Sequence, residues 1–383
     1  MSPMSEWSAA DEQYMRHALG LAALGLNSTD PNPRVGCVLV RDGRVVGEGW
    51  HERAGGAHAE VRAIESAGDD ARGATAYVTL EPCSGHGRTP PCTAALLAAG
   101  VRRVIYAASD PNPAMREGAA RLQDAGCAVA GGLLAEQARA LNVGFFARHE
   151  RGRPWVRVKL GASLDGRTAL ANGESRWITG KQARADAQLY RARSSVVLTG
   201  IGTVLADDPA MNVRIDGANR QPLRVVLDSR LRLPLSARII DREGAMLLFT
   251  SAAADAGRRA ALEQRGVRVE LLPLAAGGGL DLNAALARLA QLHANEVWVE
   301  AGPALAGALL AAKLADELVL YLAPCLLGPQ ALPLAQLPAL AALEDRWALQ
   351  YEEVVRIGAD LRITARPLTP VARPPQAAGP REP

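Results

Sequence analysis

The chain reads Thr75-Ala76-Tyr77-Val78-Thr79-Leu80-Glu81-Pro82-Cys83 and, after eight intervening residues, Cys92-Thr93-Ala94-Ala95-Leu96-Leu97-Ala98-Ala99 followed by a strand-like run over 102–108. The first run has the β-branched, apolar character of a buried strand over 75–80. Pro90-Pro91 suits the entry to a helix over 92–99. A strand, a helix and a second strand in succession imply parallel strands, because the helix carries the chain back. Working outward, 58–67 predicts a helix upstream, and 114–125 predicts another downstream, before a short strand near 127–130. Strands over 35–40 and 45–50 are joined by Arg41-Asp42-Gly43, in which Asp-Gly is a strong hairpin signal. Residues 8–26 have helical spacing, stopped by the turn chemistry of 27–33. One α/β domain over 1–150 accounts for these elements.

At Arg148-His149-Glu150-Arg151-Gly152-Arg153-Pro154 the chain turns charged and Gly/Pro-punctuated, and a fresh strand begins at Trp155. Apolar runs at 195–199, 223–228, 246–250, 267–272, 296–300 and 317–323 then alternate with helical stretches, which predicts a second α/β domain over 154–366 with a mostly parallel sheet. Residues 367–383 are rich in Pro and Ala, and a disordered tail is expected there. Two junctions in the second domain carry glycines: Gly200-Ile201-Gly202-Thr203 and Gly302-Pro303-Ala304-Leu305-Ala306-Gly307. Each has the form of a strand-to-helix turn whose amides suit a phosphate, and each is equally consistent with a tight turn that binds nothing.

The length of 383 residues suits two domains. A formal net charge of +3, with no basic run interleaved with aromatics, speaks against a nucleic-acid partner. No stretch reaches about 18 uncharged apolar residues, and the acidic amino terminus lacks a signal-peptide pattern, so no membrane association and a cytoplasmic setting are expected. Five scattered cysteines fit reduced thiols. Cys37, Cys127 and Cys325 lie among apolar residues and are expected as small buried hydrophobes.

Cys83 and Cys92 differ, because each follows a proline and His58-Ala59-Glu60 precedes them. One imidazole and two thiolates supply three of four tetrahedral zinc positions, and water completes the set with its pKa lowered to about 7. Glu60 is then the catalytic residue that carries protons from the water to a ring nitrogen and the departing amine. A His-x-Glu followed by Pro-Cys is the signature of zinc nucleobase deaminases. Residues i and i+2 share no helix face, so His58 has to sit at the helix start, after Gly55-Gly56.

The runs Thr79-Leu80-Glu81-Pro82-Cys83 and Gly87-Arg88-Thr89-Pro90-Pro91-Cys92 closely resemble the bifunctional riboflavin-biosynthesis family, in which a pyrimidine deaminase is fused to a reductase. So do Asp30-Pro31-Asn32-Pro33-Arg34-Val35-Gly36, His51, the run from Lys159 through Gly161, Asp165 and Gly166 to Arg167, and Leu205-Ala206-Asp207-Asp208-Pro209. The resemblance implies a cytidine-deaminase-like three-layer domain, followed by a dihydrofolate-reductase-like α/β domain. It implies one Zn2+ held by His58, Cys83 and Cys92, and a small phosphorylated pyrimidine substrate that is deaminated and then reduced by NADPH from ribosyl to ribityl. Asn32 and His51 would hold the substrate in the first domain. In the second, NADPH would lie near Gly161, Trp177, Thr203, Asp207 and residues Gly302, Pro303, Ala304, Leu305, Ala306 and Gly307. The sugar phosphate would meet Ser175, Arg191, Met211, Arg214 and Glu300, with Lys159 and Asp165 as candidate proton donors. A homo-oligomer is compatible with this family. One position departs from it: the family usually has His directly after Cys-Ser, where this chain has Gly85 and places His86 one residue later.

Two other readings stay open on the residues alone. One is a cytidine or tRNA adenosine deaminase carrying an unrelated second domain. The other is a structural zinc module, with His86 swinging in as fourth ligand.

Overall fold

The computed structural model describes residues 7–85, 90–218 and 220–368. By its internal contacts the chain divides into two compact units, Met1–Trp155 with Ala187–Trp298, and Val156–Asp186 with Val299–Pro383. The first unit opens with α1 (Ala9–Ala23), started by a capping box in which Ser8 Oγ accepts from the Asp11 amide and the Asp11 carboxylate accepts from the Ser8 amide. Next, β1 (Gly36–Arg41) and β2 (Arg44–Trp50) form the expected hairpin. Asp42 at φ 51° and Gly43 at φ 74° supply the two positive φ values that a two-residue turn of this kind needs. Then follow α2 (Ala59–Ala67), β3 (Thr75–Leu80), α3 (Cys92–Ala98), β4 (Arg103–Ala108), α4 (Gly118–Asp124) and β5 (Ala128–Gly131). The sheet order is β2-β1-β3-β4-β5; β1 runs antiparallel to both neighbours, and β3, β4 and β5 are parallel.

Glycines show why this sheet is the middle of three layers. A Cβ on Gly36 would lie 2.0 Å from the Ala18 carbonyl of α1, and one on Gly47 would lie 2.3 Å from the Ala63 carbonyl of α2. Gly47 pairs with Leu39, three residues on from Gly36, so the two glycines point to opposite faces of the pleat. Helix α1 therefore covers one face and α2 the other. Met15, Leu39, Leu96, Ile105 and Leu122 are fully buried between the layers.

Two helices lie where no element is expected from the sequence, α5 (Ala135–Leu141) and α6 (Val143–Arg151). The charged run read as a domain border is the last turn of α6, whose Phe145 and Phe146 are buried, and Gly152 at φ 66° ends the helix. The chain continues through β6 (Trp155–Ser163), β7 (Arg167–Ala169), α7 (Lys181–Arg193), β8 (Val196–Gly200), α8 (Ile201–Asp207), β9 (Leu223–Leu227), β10 (Met246–Thr250), α9 (Ala256–Gln264), β11 (Arg268–Leu271), α10 (Leu282–Gln291) and β12 (Glu296–Glu300). Helix α11 (Pro303–Ala311) and strands β13 (Glu317–Ala323), β14 (Leu332–Pro333), β15 (Leu349–Ile357) and β16 (Asp360–Pro367) complete it.

Within the first unit β8, β9, β10 and β11 are parallel neighbours, and Val225, Val226, Leu247, Leu248 and Phe249 are buried in succession, as strands covered on both faces require. Within the second unit β6 and β13 are parallel, while β13, β16 and β15 pair antiparallel. The parallel strands match the expectation, and the β15–β16 hairpin adds to it. Strand β16 runs to Pro367; residues 369–383, where most of the tail was expected, lie outside the described residues. Cys37 and Cys127 are buried as expected, but Cys325 is exposed, because it follows the end of β13 in a surface turn beside the exposed Leu326. No helix among the described residues is long and apolar enough to cross a membrane.

Candidate metal centre

His58 is the N-cap of α2, in extended conformation, so its ring leaves the helix axis at the point where Glu60 enters the first turn. Cys92 is the first residue of α3, directly after the Pro91 cap. Cys83 follows β3, and its sulfur accepts from the Cys92 amide at 3.3 Å. His58 Nδ1 lies 3.2 Å from Cys92 Sγ and 3.7 Å from Cys83 Sγ, and the three ligand atoms all lie within 4.8 Å of one another. Tetrahedral zinc with ordinary Zn–S and Zn–N bonds spaces its ligand atoms roughly 3.6–3.8 Å apart. One imidazole nitrogen and two sulfurs at this spacing fit that ion. His86, the candidate fourth protein ligand, lies outside the described residues.

The two thiols share charge unevenly. A hydrogen bond from Cys92 holds the Cys83 thiol at about 4, and the same shared proton and burial push Cys92 up. The hydrogen bond with Cys83 raises His58. Glu60 is 4% exposed, and burial raises its carboxyl above the ordinary value, with His58 opposing. A carboxyl shifted this way is better matched to taking and returning a proton near neutrality.

Asn32 and His51 meet at the same centre. His51 Nδ1 donates to the Ala57 carbonyl at 3.0 Å, which leaves Nε2 as acceptor for Asn32 Nδ2 at 3.1 Å. Burial lowers His51, in keeping with a neutral ring, and the ring stands edge-on to His58 at 5.3 Å between centroids.

Two carboxylates near the site escaped the sequence reading. Glu81 accepts from the Asp110 amide at 3.3 Å and the Ala119 amide at 3.0 Å, tying the start of the metal loop to the segment after β4. Burial raises Asp110 to about 6, with negative charge from Glu81 and Cys83 adding to it. The available signal was a second Asp-Pro-Asn-Pro, residues 110–113, which repeats residues 30–33. The departure at Gly85 also has a physical reason. A Cβ there would lie 2.2 Å from the Ala114 carbonyl, in a loop where Ser84 hydrogen-bonds to Met115 and Arg116 carbonyls and Arg121 holds the Ser84 carbonyl at 2.9 Å.

The residues expected for reduction fall in both units. In the first, Thr203 and Asp207 lie on α8, and Arg191 is buried with Nη1 donating to the Asn212 carbonyl at 2.8 Å, so it is not a solvated helix residue. Met211 is buried at φ 55°, and the exposed Arg214 reaches the Asn212 side chain at 3.0 Å. In the second, Lys159 Nζ lies 3.2 Å from where a Gly161 Cβ would be. Ser175 is part-buried, and its carbonyl accepts from the Ile178 amide; Trp177 is 69% exposed rather than packed, with the Arg184 guanidinium 4.2 Å from its ring centre. Glu300 ends β12, and Gly302 caps α11, whose Pro303 suits a first helical position. Gly307 is closed over by the Gln336 backbone, 2.0 Å from where its Cβ would be. Asp165 accepts hydrogen bonds from Ser163 and from the Leu327 and Gly328 amides, which hold its carboxyl at about 2.

A three-layer sheet with a His/Cys/Cys centre and a buried glutamate defines a zinc-dependent deaminase, here continuous with a second α/β region. Residues 8–108 match the sequence model described as cytidine and deoxycytidylate deaminase zinc-binding region, and residues 154–363 match the RibD C-terminal domain. The riboflavin biosynthesis protein RibD of Escherichia coli (strain K12) is 50% identical over 364 residues, 92% of this chain and 98% of that protein. A solved structure of Acinetobacter baumannii RibD has a TM-score of 0.88 at 41% identity and covers 94% of this chain and 99% of its own. A Thermotoga maritima diaminohydroxyphosphoribosylaminopyrimidine deaminase/5-amino-6-(5-phosphoribosylamino)uracil reductase has a TM-score of 0.82 at 32% identity, over 94% of this chain and 99% of that one. The chain belongs to the RibD family and is a bifunctional deaminase and reductase of riboflavin biosynthesis. The reading with an unrelated second domain is not favoured, because the second region matches this family's own reductase domain.

Proposed function

We propose that the chain first deaminates 2,5-diamino-6-(5-phosphoribosylamino)pyrimidin-4(3H)-one by hydrolysis and then reduces the ribosyl group of the product to ribityl with NADPH. The observation that carries the first step is the trio His58 Nδ1, Cys83 Sγ and Cys92 Sγ within 4.8 Å of one another, with Glu60 buried in the adjoining helical turn. Zinc, when bound there, supplies Lewis-acid activation of water at neutral pH. Glu60 takes the proton that water gives up as its oxygen bonds to the ring carbon. It passes that proton to the ring nitrogen, then takes the second proton from the new hydroxyl on the ring carbon and gives it to the amine, so the C–N bond breaks, the carbonyl forms and ammonia leaves. Asn32, with one amide hydrogen on His51, keeps Oδ1 as acceptor for a pyrimidine N–H, and neutral His51 holds it in that orientation.

For the second step NADPH, when bound, supplies hydride. Gly161, Trp177, Thr203, Asp207 and 302–307 are the residues proposed to hold it. Ser175, Arg191, Met211, Arg214 and Glu300 are proposed for the sugar phosphate, with the arginines as forked donors. The exposed Trp177 ring and the helix start at Gly302 support this reading. The working domain limits are 1–150 for deamination and 154–366 for reduction. A cytoplasmic setting fits the free cysteines, and a homo-oligomer is compatible with the reading.

Mass spectrometry of products from the diaminopyrimidine phosphate tests the proposal. The deaminated ribosyl compound and ammonia are expected without NADPH and the ribityl compound with it, both lost when zinc is stripped before the first step. Ammonia from cytidine or tRNA, but none from the phosphate, would overturn it.

A further inference from the structure

Asp30 stands two residues before Asn32, and its carboxylate is held by residues far along the chain. Its Oδ1 accepts from Ser195 Oγ at 2.7 Å and Asn295 Nδ2 at 3.2 Å, and its Oδ2 from Arg220 Nη1 at 3.3 Å. The same Asn295 amide group donates to the Pro31 carbonyl at 2.9 Å. Each partner is itself anchored. Ser195 Oγ accepts from the Asn295 and Glu296 amides at 2.8 and 3.1 Å, and Arg220 Nη2 donates to the Ala192 and Ser194 carbonyls at 3.1 and 2.9 Å. At the other end of the segment the buried Arg34 donates to Glu296 Oε1 at 2.6 Å, and Asn142 holds both the amide and the carbonyl of Arg34. Residues 30–34 are thus gripped at both ends, largely by side chains more than 150 positions further along the chain, and Asn32 lies in the middle.

We infer that Ser195, Arg220 and Asn295 are positioning residues for deamination: through Asp30 they set Asn32, and with it His51, against the pyrimidine, so the second half of the chain takes part in the first reaction. The path is short and continuous. It runs from Asp30 through one residue to Asn32, from its amide to His51 Nε2, and from His51 Nδ1 to the carbonyl of Ala57, the residue before His58. A shift of about 1 Å in a substrate-positioning group can cost on the order of 10²-fold in kcat/KM. The local bond that the Asn32 amide makes, to the Thr29 carbonyl at 2.8 Å, fixes the turn, and the loop gains its accuracy from its tertiary partners.

The inference rests on Asn32 contacting substrate, and the test separates the two claims. In the full-length zinc-loaded protein, Asn295→Ala and, independently, Arg220→Met should each raise the deaminase KM by about fivefold or more. The kcat for deamination should stay within about twofold, zinc should remain stoichiometric, and reductase kcat/KM on the deaminated intermediate should be unchanged. Asn32→Ala should raise KM at least as much, and adding Asn295→Ala to it should raise KM no further, a non-additivity that a purely structural brace would not produce. Should Asn32→Ala leave KM at the wild-type value, the reading of Asn32 fails and the inference falls with it. If Asn32→Ala raises KM but neither Asn295→Ala nor Arg220→Met does, the inference alone is overturned. It is equally overturned if both reactions weaken in parallel or if the double variant is simply additive.

Discussion

The molecule uses one tetrapeptide twice and in opposite ways. At 110–113 the Asp-Pro-Asn-Pro folds in on itself: Asp110 Oδ1 accepts from the Asn112 amide at 2.8 Å, and Asn112 Oδ1 accepts from the Ala114 amide at 3.1 Å. These are Asx turns, in which short polar side chains replace backbone partners locally. At 30–33 the same side chains reach outward, Asp30 to Ser195, Arg220 and Asn295, and Asn32 to His51. Both loops border the metal centre, one through His51 and His58, the other through Glu81 and Cys83. Local sequence therefore dictates a turn in both places, while tertiary partners decide whether its side chains close the turn or serve the site.

The largest effect should come from the residue that neither loop contains. Glu60→Gln keeps shape and zinc but removes the proton carrier, and the deaminase kcat should fall about 10²- to 10⁴-fold while reduction of added intermediate is retained. Parallel assays of the two half-reactions with metal analysis check this. If deamination fell less than about tenfold, the proton carrier would belong to the second loop, where Asp110 is the carboxyl already raised to about 6.

Next is the anchor behind the first loop. Glu296 is buried between Arg34 at 2.6 Å and Arg193 at 3.3 Å, so Glu296→Ala leaves buried guanidinium charge without its carboxylate. Removing one partner of such a pair costs about 3–5 kcal/mol. Urea unfolding of the full chain should show a loss of that order. A loss below about 1 kcal/mol would mean that the first loop is held as lightly as the second.

The same contrast explains what could be read from sequence. His58 and Cys92 were legible because glycines and prolines mark the helix starts they occupy, Glu60 because it falls in the first turn after His58, and Cys83 because a proline precedes it just after a strand run. The α/β character of the first domain was legible from the β-branched runs and the Asp-Gly turn, and its three layers only through the family resemblance. Asp30 was visible only as turn chemistry, since Ser195 and Asn295 lie 165 and 265 positions away and no period links them. The β15–β16 hairpin was missed for a different reason: nearly every residue of β15 is exposed, Tyr351 and Val354 among them, so its sequence has no apolar face to recognise. Helix α6 hid because its last turn is charged, and that turn was read as a border.

The smallest effect sharpens the comparison most directly, because it sets the equivalent asparagines side by side. Asn112 contributes a local cap, and Asn112→Ala should cost about 0.5–2 kcal/mol, the usual range for losing a side-chain acceptor to an otherwise unpaired backbone amide. Its deaminase KM should stay within about twofold of wild type, since the Asn112 side chain closes its own turn, whereas Asn32→Ala should raise KM with little change in the unfolding midpoint. Measuring both quantities for both variants gives a two-by-two test. An Asn112→Ala protein of unchanged stability but raised KM would reverse the roles assigned to the loops, and would make the Asp110 turn the one that faces the pyrimidine.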